Sequence, residues 1–292
     1  RTLAQQFANE PFAVRATTLL SGLVDPWTTN LDHTLGTLSQ NLNRSMALQD
    51  HEFASVASAF FAANALVRGM ELASLERVLA EQISSVSAQQ HITGINIAQF
   101  VQQIVGSLLG QSNPDAEPEP ATQPDISNPE DAAARGYVYV LRLYYAVLFQ
   151  DFQGASNILS LATQYAPALA GSPLMALWKF SEALVRIRQG KRTDMRIVNA
   201  NLSTLKRWLR AGANFVEPKA LMLEAEIAWR NGSSTRALET YEHAADKARR
   251  LGSANDEALA YELAARACES KGRADFARLF ASNSYQAYLR WG

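Results

Sequence analysis

The chain has 292 residues, of which 48% are hydrophobic and 19% charged, and its net charge at pH 7 is −1. That length exceeds one ordinary compact core, so two domains or one elongated array are the natural options, and the near-neutral balance disfavours a protein dominated by nucleic-acid binding. A single cysteine, Cys268, excludes an internal disulfide and fits a reducing, cytoplasmic compartment, and no apolar run approaches the ~18 residues that a membrane-spanning helix needs.

From the start, RTLAQQFANEP has no apolar signal core and no initiator methionine, so the chain reads as a piece of a longer protein, as does its end, YLRWG. Apolar residues then recur at three- and four-residue spacing in almost every segment, which predicts an all-α fold with about six helices before residue 110 and about eight after 130. Asp25-Pro26, Asn128-Pro129 and Ser172-Pro173 each place a capping side chain ahead of a proline suited to the first helical position.

Residues 110–129, GQSNPDAEPEPATQPDISNP, hold five prolines and several acids with almost no large apolar group. Such a stretch cannot bury enough surface to order itself as a helix. The expected organisation is therefore an N-terminal helical-repeat lobe over 1–109, an acidic proline-rich linker or loop over 110–130, and a C-terminal helical-repeat lobe over 131–292.

Between Arg186 and Arg210 the chain carries Arg186, Arg188, Lys191, Arg192, Arg196, Lys206, Arg207 and Arg210 against the single acid Asp194. This is either a solvated face or a basic interaction surface for an acidic peptide, the chain's own acidic linker or a nucleic acid.

An internal repeat follows. AEIAWRNGSSTRALETYEHA from Ala225 to Ala244 aligns without a gap on AARACESKGRADFARLFASNS from Ala264 to Ser284. At an offset of 40, Ala225 matches Ala265, Gly232 matches Gly272, Ala237 matches Ala277, Tyr241 matches Ala281 and Ala244 matches Ser284. Small residues facing each other let two helices approach to the near end of the usual 8–10 Å, and each glycine ends the first helix of a pair. Gly252 sits at a third stop, and Ser253 with Asp256 has the spacing of a capping box. A weaker form recurs as Gln150-Asp151 followed by Ala155, Leu159, Ala162 and Pro167, and as Gln49-Asp50 followed by Ala54 and Ser58. Matches in register with helix periodicity predict stacked antiparallel helical hairpins, a tetratricopeptide-like α-solenoid in one or two lobes, although the usual period is about 34 residues.

The stretches ANFVEPKALMLEAEIAWRNG, ALETYEHAADKAR, NDEALAYELAARACESKGRADFAR and YQAYLRWG resemble the helical-repeat region of large bacterial multidomain signalling proteins. The resemblance covers 213–292 and, more weakly, 137–189 and 25–67. Cys268-Glu269 departs from the aromatic pair expected after the alanines. In that family a serine/threonine kinase-like domain and a signal-transducing ATPase precede the helices, and GAF and histidine-kinase domains follow. The resemblance implies a protein-interaction and signal-relay module whose partners are other proteins or neighbouring domains of the same polypeptide. An alternative is a helical domain that senses a small molecule and controls an attached ATPase or kinase.

The residues themselves offer no complete catalytic or cofactor site. Gly190-Lys191 lacks the preceding glycine of a phosphate-binding loop. His33, His51, His91 and His243 are scattered, with no second histidine at helical metal-ligand spacing. Cys268 lies on a helix face turned to the repeat core, where a buried, inert thiol is expected. Glu224 and Glu226, two apart, point to different sides of a helix and, with Glu262, read as solvated or hairpin-bridging acids. Tyr144, Tyr145, Trp178, Trp208, Trp229 and Trp291 fall at core-like positions. The last helix carries Tyr285, Tyr288 and Trp291 three residues apart, a strip that either packs back on helix 254–271 or docks a following domain or second copy.

Overall fold

The computed structural model describes residues 11–86, 93–111 and 132–292. The proline-rich segment, apart from its first residues Gly110 and Gln111, lies outside the described residues, as do Asn128-Pro129 and His91.

Among the described residues the fold is all-α, with thirteen α-helices. In chain order they are α1 (Pro11–Leu23), α2 (Leu31–Ala47), α3 (His51–Arg68), α4 (Leu72–Val86), α5 (Thr93–Leu108), α6 (Ala132–Leu148), α7 (Phe152–Tyr165), α8 (Leu174–Gln189), α9 (Met195–Arg210), α10 (Glu217–Arg230), α11 (Ser234–Leu251), α12 (Ala254–Glu269) and α13 (Ala274–Trp291). One of the two described proline starts carries the expected side-chain cap. At the other the proline is in the first turn, but Asp25 lies inside it, behind Val24 at the cap position, where no side-chain cap bond forms. Asp25-Pro26 opens a 3-10 turn, and Ser172 Oγ accepts the backbone N–H of Leu174 at 3.3 Å at the head of α8.

The described residues form two compact units. One draws on Arg1–Arg68, Leu72–Arg142 and Ser160–Met175, the other on Gly69–Glu71, Leu143–Leu159 and Ala176–Gly292. Both are discontinuous in sequence, whereas the expected lobes 1–109 and 131–292 are continuous stretches.

In the first unit α3 is the central helix. Ala54, Ala57, Ala62, Ala63 and Ala65 are wholly buried, and α1, α2, α4 and α5 all pack on it. A helix apolar on every side has to sit inside, and its alanines let four neighbours come close. Gly94 of α5 shows how close: a Cβ there would lie 2.5 Å from the Ser55 carbonyl oxygen of α3. In the second unit α12 has the same role, with Ala258, Ala260 and Ala264 wholly buried and α10, α11 and α13 packed around it.

Four helix pairs share one turn that is followed by a buried alanine, and Gly252 (φ 69°), between α11 and α12, closes the same way, with Ser253 N–H bonding back to Ala248 at 2.9 Å. At the ends of α2, α6, α10 and α12 the chain passes through a left-handed residue: Gln49 (φ 57°), Gln150 (φ 57°), Gly232 (φ 83°) and Gly272 (φ 67°). The next N–H bonds back five residues in each case: Asp50 to Ser45 (2.8 Å), Asp151 to Ala146 (2.9 Å), Ser233 to Ala228 (2.9 Å) and Arg273 to Cys268 (3.0 Å). This is the Schellman closure of a helix end. Four residues further on, Ala54, Ala155, Ala237 and Ala277 are all buried, at 4% exposure or less. The weak matches at Gln49 and Gln150 and the strong ones at Gly232 and Gly272 are thus the same local structure, and loops this short join antiparallel neighbours.

One aligned position departs. Tyr241 is fully buried whereas Ala281 is exposed, because Tyr241 has α12 beyond its own hairpin and no helix among the described residues covers Ala281. Around it the register holds: Ala244 is wholly buried, and Ser284 is buried with its hydroxyl donating to the Ala258 carbonyl at 2.9 Å.

Candidate interaction surface and the buried polar network

The eight cations of the 186–210 cluster divide into two groups. Arg186 and Arg188, at the end of α8, are structural. Arg186 bonds Glu182 at 3.0 Å and faces Asp194 at 3.5 Å, and Glu182, itself buried, also accepts Asn201 Nδ2 of α9 at 2.9 Å. Arg188 reaches across to Glu226 of α10 at 2.5 Å and lies over the Phe152 ring. These two do not belong to a solvent-facing basic surface: burial of Glu182 and Glu226 demands counter-charges, and the two arginines supply them.

The other six are exposed. Lys191 and Arg192 precede α9, and Arg196, Lys206, Arg207 and Arg210 lie on it. Lys206 pairs with Glu224 of α10, while among the described residues no carboxylate forms an ion pair with Lys191, Arg192, Arg196, Arg207 or Arg210. Helix α9 contains no acid at all. Its inner side is set by Val198, Asn201 and Leu205, all buried, and α9 packs on α10. Its outer side carries Asn199, Ser203, Lys206 and Arg210 at three- and four-residue spacing, hence on one stripe. Beside that stripe runs an open groove of about 540 Å³ lined, among the described residues, by Asn199, Leu202, Ser203, Lys206, Leu209 and Arg210. Leu202 and Leu209, seven residues apart, form its apolar edge, and Arg196 and Arg207 flank the stripe on the other side. Sequence reasoning found the cations and missed Asn199, Leu202, Ser203 and Leu209, which the same periodicity would have selected.

The second unit also buries a polar network, in which Ser253, Asp256 and Tyr144 have partners that the sequence did not reveal. Lys219 of α10 pairs with Asp256 of α12 at 2.6 Å, with side-chain exposures of 0% and 1%. Ser253 Oγ lies 2.8 Å from Asn255 Oδ1 and 3.1 Å from Asp256 Oδ2, and Asn255 Nδ2 donates to the Tyr144 hydroxyl at 3.1 Å. Ser253 therefore makes no hydrogen bond to the backbone of α12 and does not form the expected capping box, because its hydroxyl is engaged by two buried side chains. Glu257, also buried, takes Arg249 at 2.7 Å and Arg290 at 2.8 Å.

All three glutamates singled out bridge helices. Glu224 meets Lys206 of α9. Glu226 accepts the Tyr241 hydroxyl of α11 at 2.6 Å as well as Arg188. Glu262 accepts the Tyr288 hydroxyl of α13 at 2.9 Å. Burial raises the Glu226 carboxyl above its ordinary value, with Arg188 and the Tyr241 hydroxyl opposing the shift. Cys268 is buried and burial raises its thiol, which keeps it protonated and inert.

The C-terminal strip is split. Tyr285 is 60% exposed, but Tyr288 is held by Glu262, and Trp291 is buried with its indole N–H donating to the Met70 carbonyl at 3.0 Å. Tyr288 and Trp291 are therefore packing residues, Tyr288 against helix 254–269 as the packing alternative expects, and only Tyr285 of the three is left exposed. A helix turns 100° per residue, so three positions at intervals of three drift around it by 60° at each step. Tyr144, Tyr145 and Trp178 are buried as expected, and Trp208 and Trp229 are half-buried. His33 and His243 are exposed and His51 is half-buried. No group of three His, Cys, Asp or Glu among the described residues could hold a metal ion, and no described helix is long and apolar enough to cross a membrane.

Comparison with models of known families, with curated proteins and with solved structures gave no match.

Proposed function

We propose that this chain is a non-catalytic helical-repeat scaffold that binds protein partners, or neighbouring domains of its own polypeptide, and relays a signal within a multidomain bacterial signalling protein. The observation that carries this reading is the repeated hairpin turn at Gln49, Gln150, Gly232 and Gly272, each followed four residues later from the hairpin's next N–H by a buried alanine. Repeated helix pairs of this kind, each packed on its sequence neighbours, present long surfaces to partners and pass strain along the array. The signalling context rests on the resemblance of 213–292 to the helical region of such proteins. The open groove on α9 favours an interaction surface over an enclosed ligand pocket, so the small-molecule sensor stays the second reading.

Sequencing the gene across this region tests the context. An ATPase-type domain encoded before these helices and an output domain after them support the relay, and a gene holding these helices alone overturns it. Calorimetry tests the non-catalytic part: the purified chain titrated with ATP is expected to give no binding heat, and micromolar binding would sink that part of the reading.

A further inference from the structure

Helix α9 has an exposed outer face that carries no acid. Across that face the chemistry changes in order, from the apolar edge of Leu202 and Leu209, through the polar ridge of Asn199, Ser203, Lys206 and Arg210, to the cationic edge of Arg196 and Arg207. From Arg196 to Arg210 this spans about 21 Å, or four turns. Among the described residues no carboxylate forms an ion pair with Arg196, Arg207 or Arg210, and Lys206 is met by Glu224. A solvated helix face would normally intersperse acids with its cations, and α9 has none.

We propose that the outer face of α9 is a docking site for an acidic amphipathic helix of a partner protein. The groove receives the partner's aliphatic side chains over Leu202 and Leu209. Its carboxylates, one turn around the partner helix, face Lys206, Arg210, Arg207 and Arg196. The match of an apolar edge with a parallel cationic edge selects this partner over the other polyanions. An anionic membrane would need the helix's own apolar side for insertion, and Val198 and Leu205 are buried inside the protein. A nucleic acid would satisfy the cations but leave the leucine edge unmatched, and Trp208, the aromatic residue of α9, is half-buried rather than presented for stacking. The proposal rests on the scaffold reading and names the partner chemistry of one of its surfaces.

The test is fluorescence anisotropy with a labelled helical peptide of about 18 residues, leucine at positions i, i+3, i+4 and i+7 and glutamate on the adjacent face. Binding to the whole chain is expected, weakening as sodium chloride rises from about 50 to 500 mM. R196E/R207E/R210E should weaken it at least about tenfold, R196Q/R207Q/R210Q by less, with unchanged circular dichroism in both. A peptide with serine for each leucine should also bind at least about tenfold more weakly. The idea fails if the peptide does not bind the wild-type chain, if charge reversal leaves its affinity unchanged, or if the serine peptide binds as tightly. It fails too if a 20-base-pair DNA duplex or phosphatidylserine vesicles bind more tightly through the same three arginines. None of these outcomes bears on domain order or ATP binding, so failure here leaves the scaffold reading standing on its own tests.

Discussion

Lys219 and Asp256, 37 residues apart, meet at 2.6 Å with both side chains sealed from water. Among the described residues Asp256 Oδ1 has no hydrogen-bond partner, so the pair relies on one short contact and on Ser253. Removing one member leaves an uncompensated buried charge, which costs about 3–5 kcal/mol, whereas apolar replacement of both can be close to neutral. K219M and D256L should each lower the urea midpoint sharply, and K219M/D256L should recover most of the loss. A double variant as unstable as the sum of the singles would mean that the two residues are not coupled.

The shared turn predicts a difference between its two versions. An L-residue in the left-handed region costs roughly 1–2 kcal/mol relative to a right-handed one, and glycine escapes this. Gln49 is exposed at φ 57°, so Q49G should stabilise the chain by about 0.5–1 kcal/mol after the entropy cost of glycine. G232Q, at φ 83° with nothing within 4 Å of an added Cβ, should destabilise through backbone strain alone. Thermal denaturation showing no opposite-signed pair of shifts would count against the common turn.

The alanine seams should resist bulk. Ala237 is wholly buried and Ala277 nearly so, where α10 meets α11 and α12 meets α13. Each alanine-to-leucine change should cost about 1–3 kcal/mol by overpacking. Unchanged melting temperatures for both variants would disprove close helix contact at these two positions.

Glu226 makes a pH signature. Its folded-state pKa is raised above the ordinary 4.5, so the native state holds the proton more tightly than the unfolded chain. Its contribution is therefore present at low pH and is lost as pH rises from about 4.5 through the raised value. E226Q keeps an acceptor for the Tyr241 hydroxyl and cannot ionise, and Arg188, partly exposed, can turn to water. Melting curves of the two proteins should agree best at acid pH, with E226Q gaining on wild type as pH rises. A constant difference across that range would show that Glu226 does not titrate in the native state.

The last helix separates two aromatic roles. Trp291 is 2% exposed and bonded to Met70, so W291A should cost about 3–5 kcal/mol. Tyr285, at 60% exposure, should tolerate alanine within about 0.5 kcal/mol. Equal effects in chemical denaturation would contradict the split of the strip.

Much of this fold was legible in residue spacing. The three- and four-residue apolar period gave the helices, Gly232, Gly252 and Gly272 ended three of them, and buried alanines at a fixed distance after the four hairpin turns marked the seams. These signals are local: helix hydrogen bonds and hairpin turns involve residues within about five positions, so composition and spacing carry them. The partners of the charged groups were not legible. Eight cations between 186 and 210 look alike in the sequence, yet two neutralise buried glutamates and the rest face outward. Ser253 spaced three from Asp256 reads as a cap, until Lys219 arrives from α10 and draws both into the core. Tyr144 with Asn255, 111 residues apart, and Trp291 with Met70, 221 apart, show the same thing. Which polar groups become buried together depends on how finished helices pack, and no periodicity within a single helix encodes that choice.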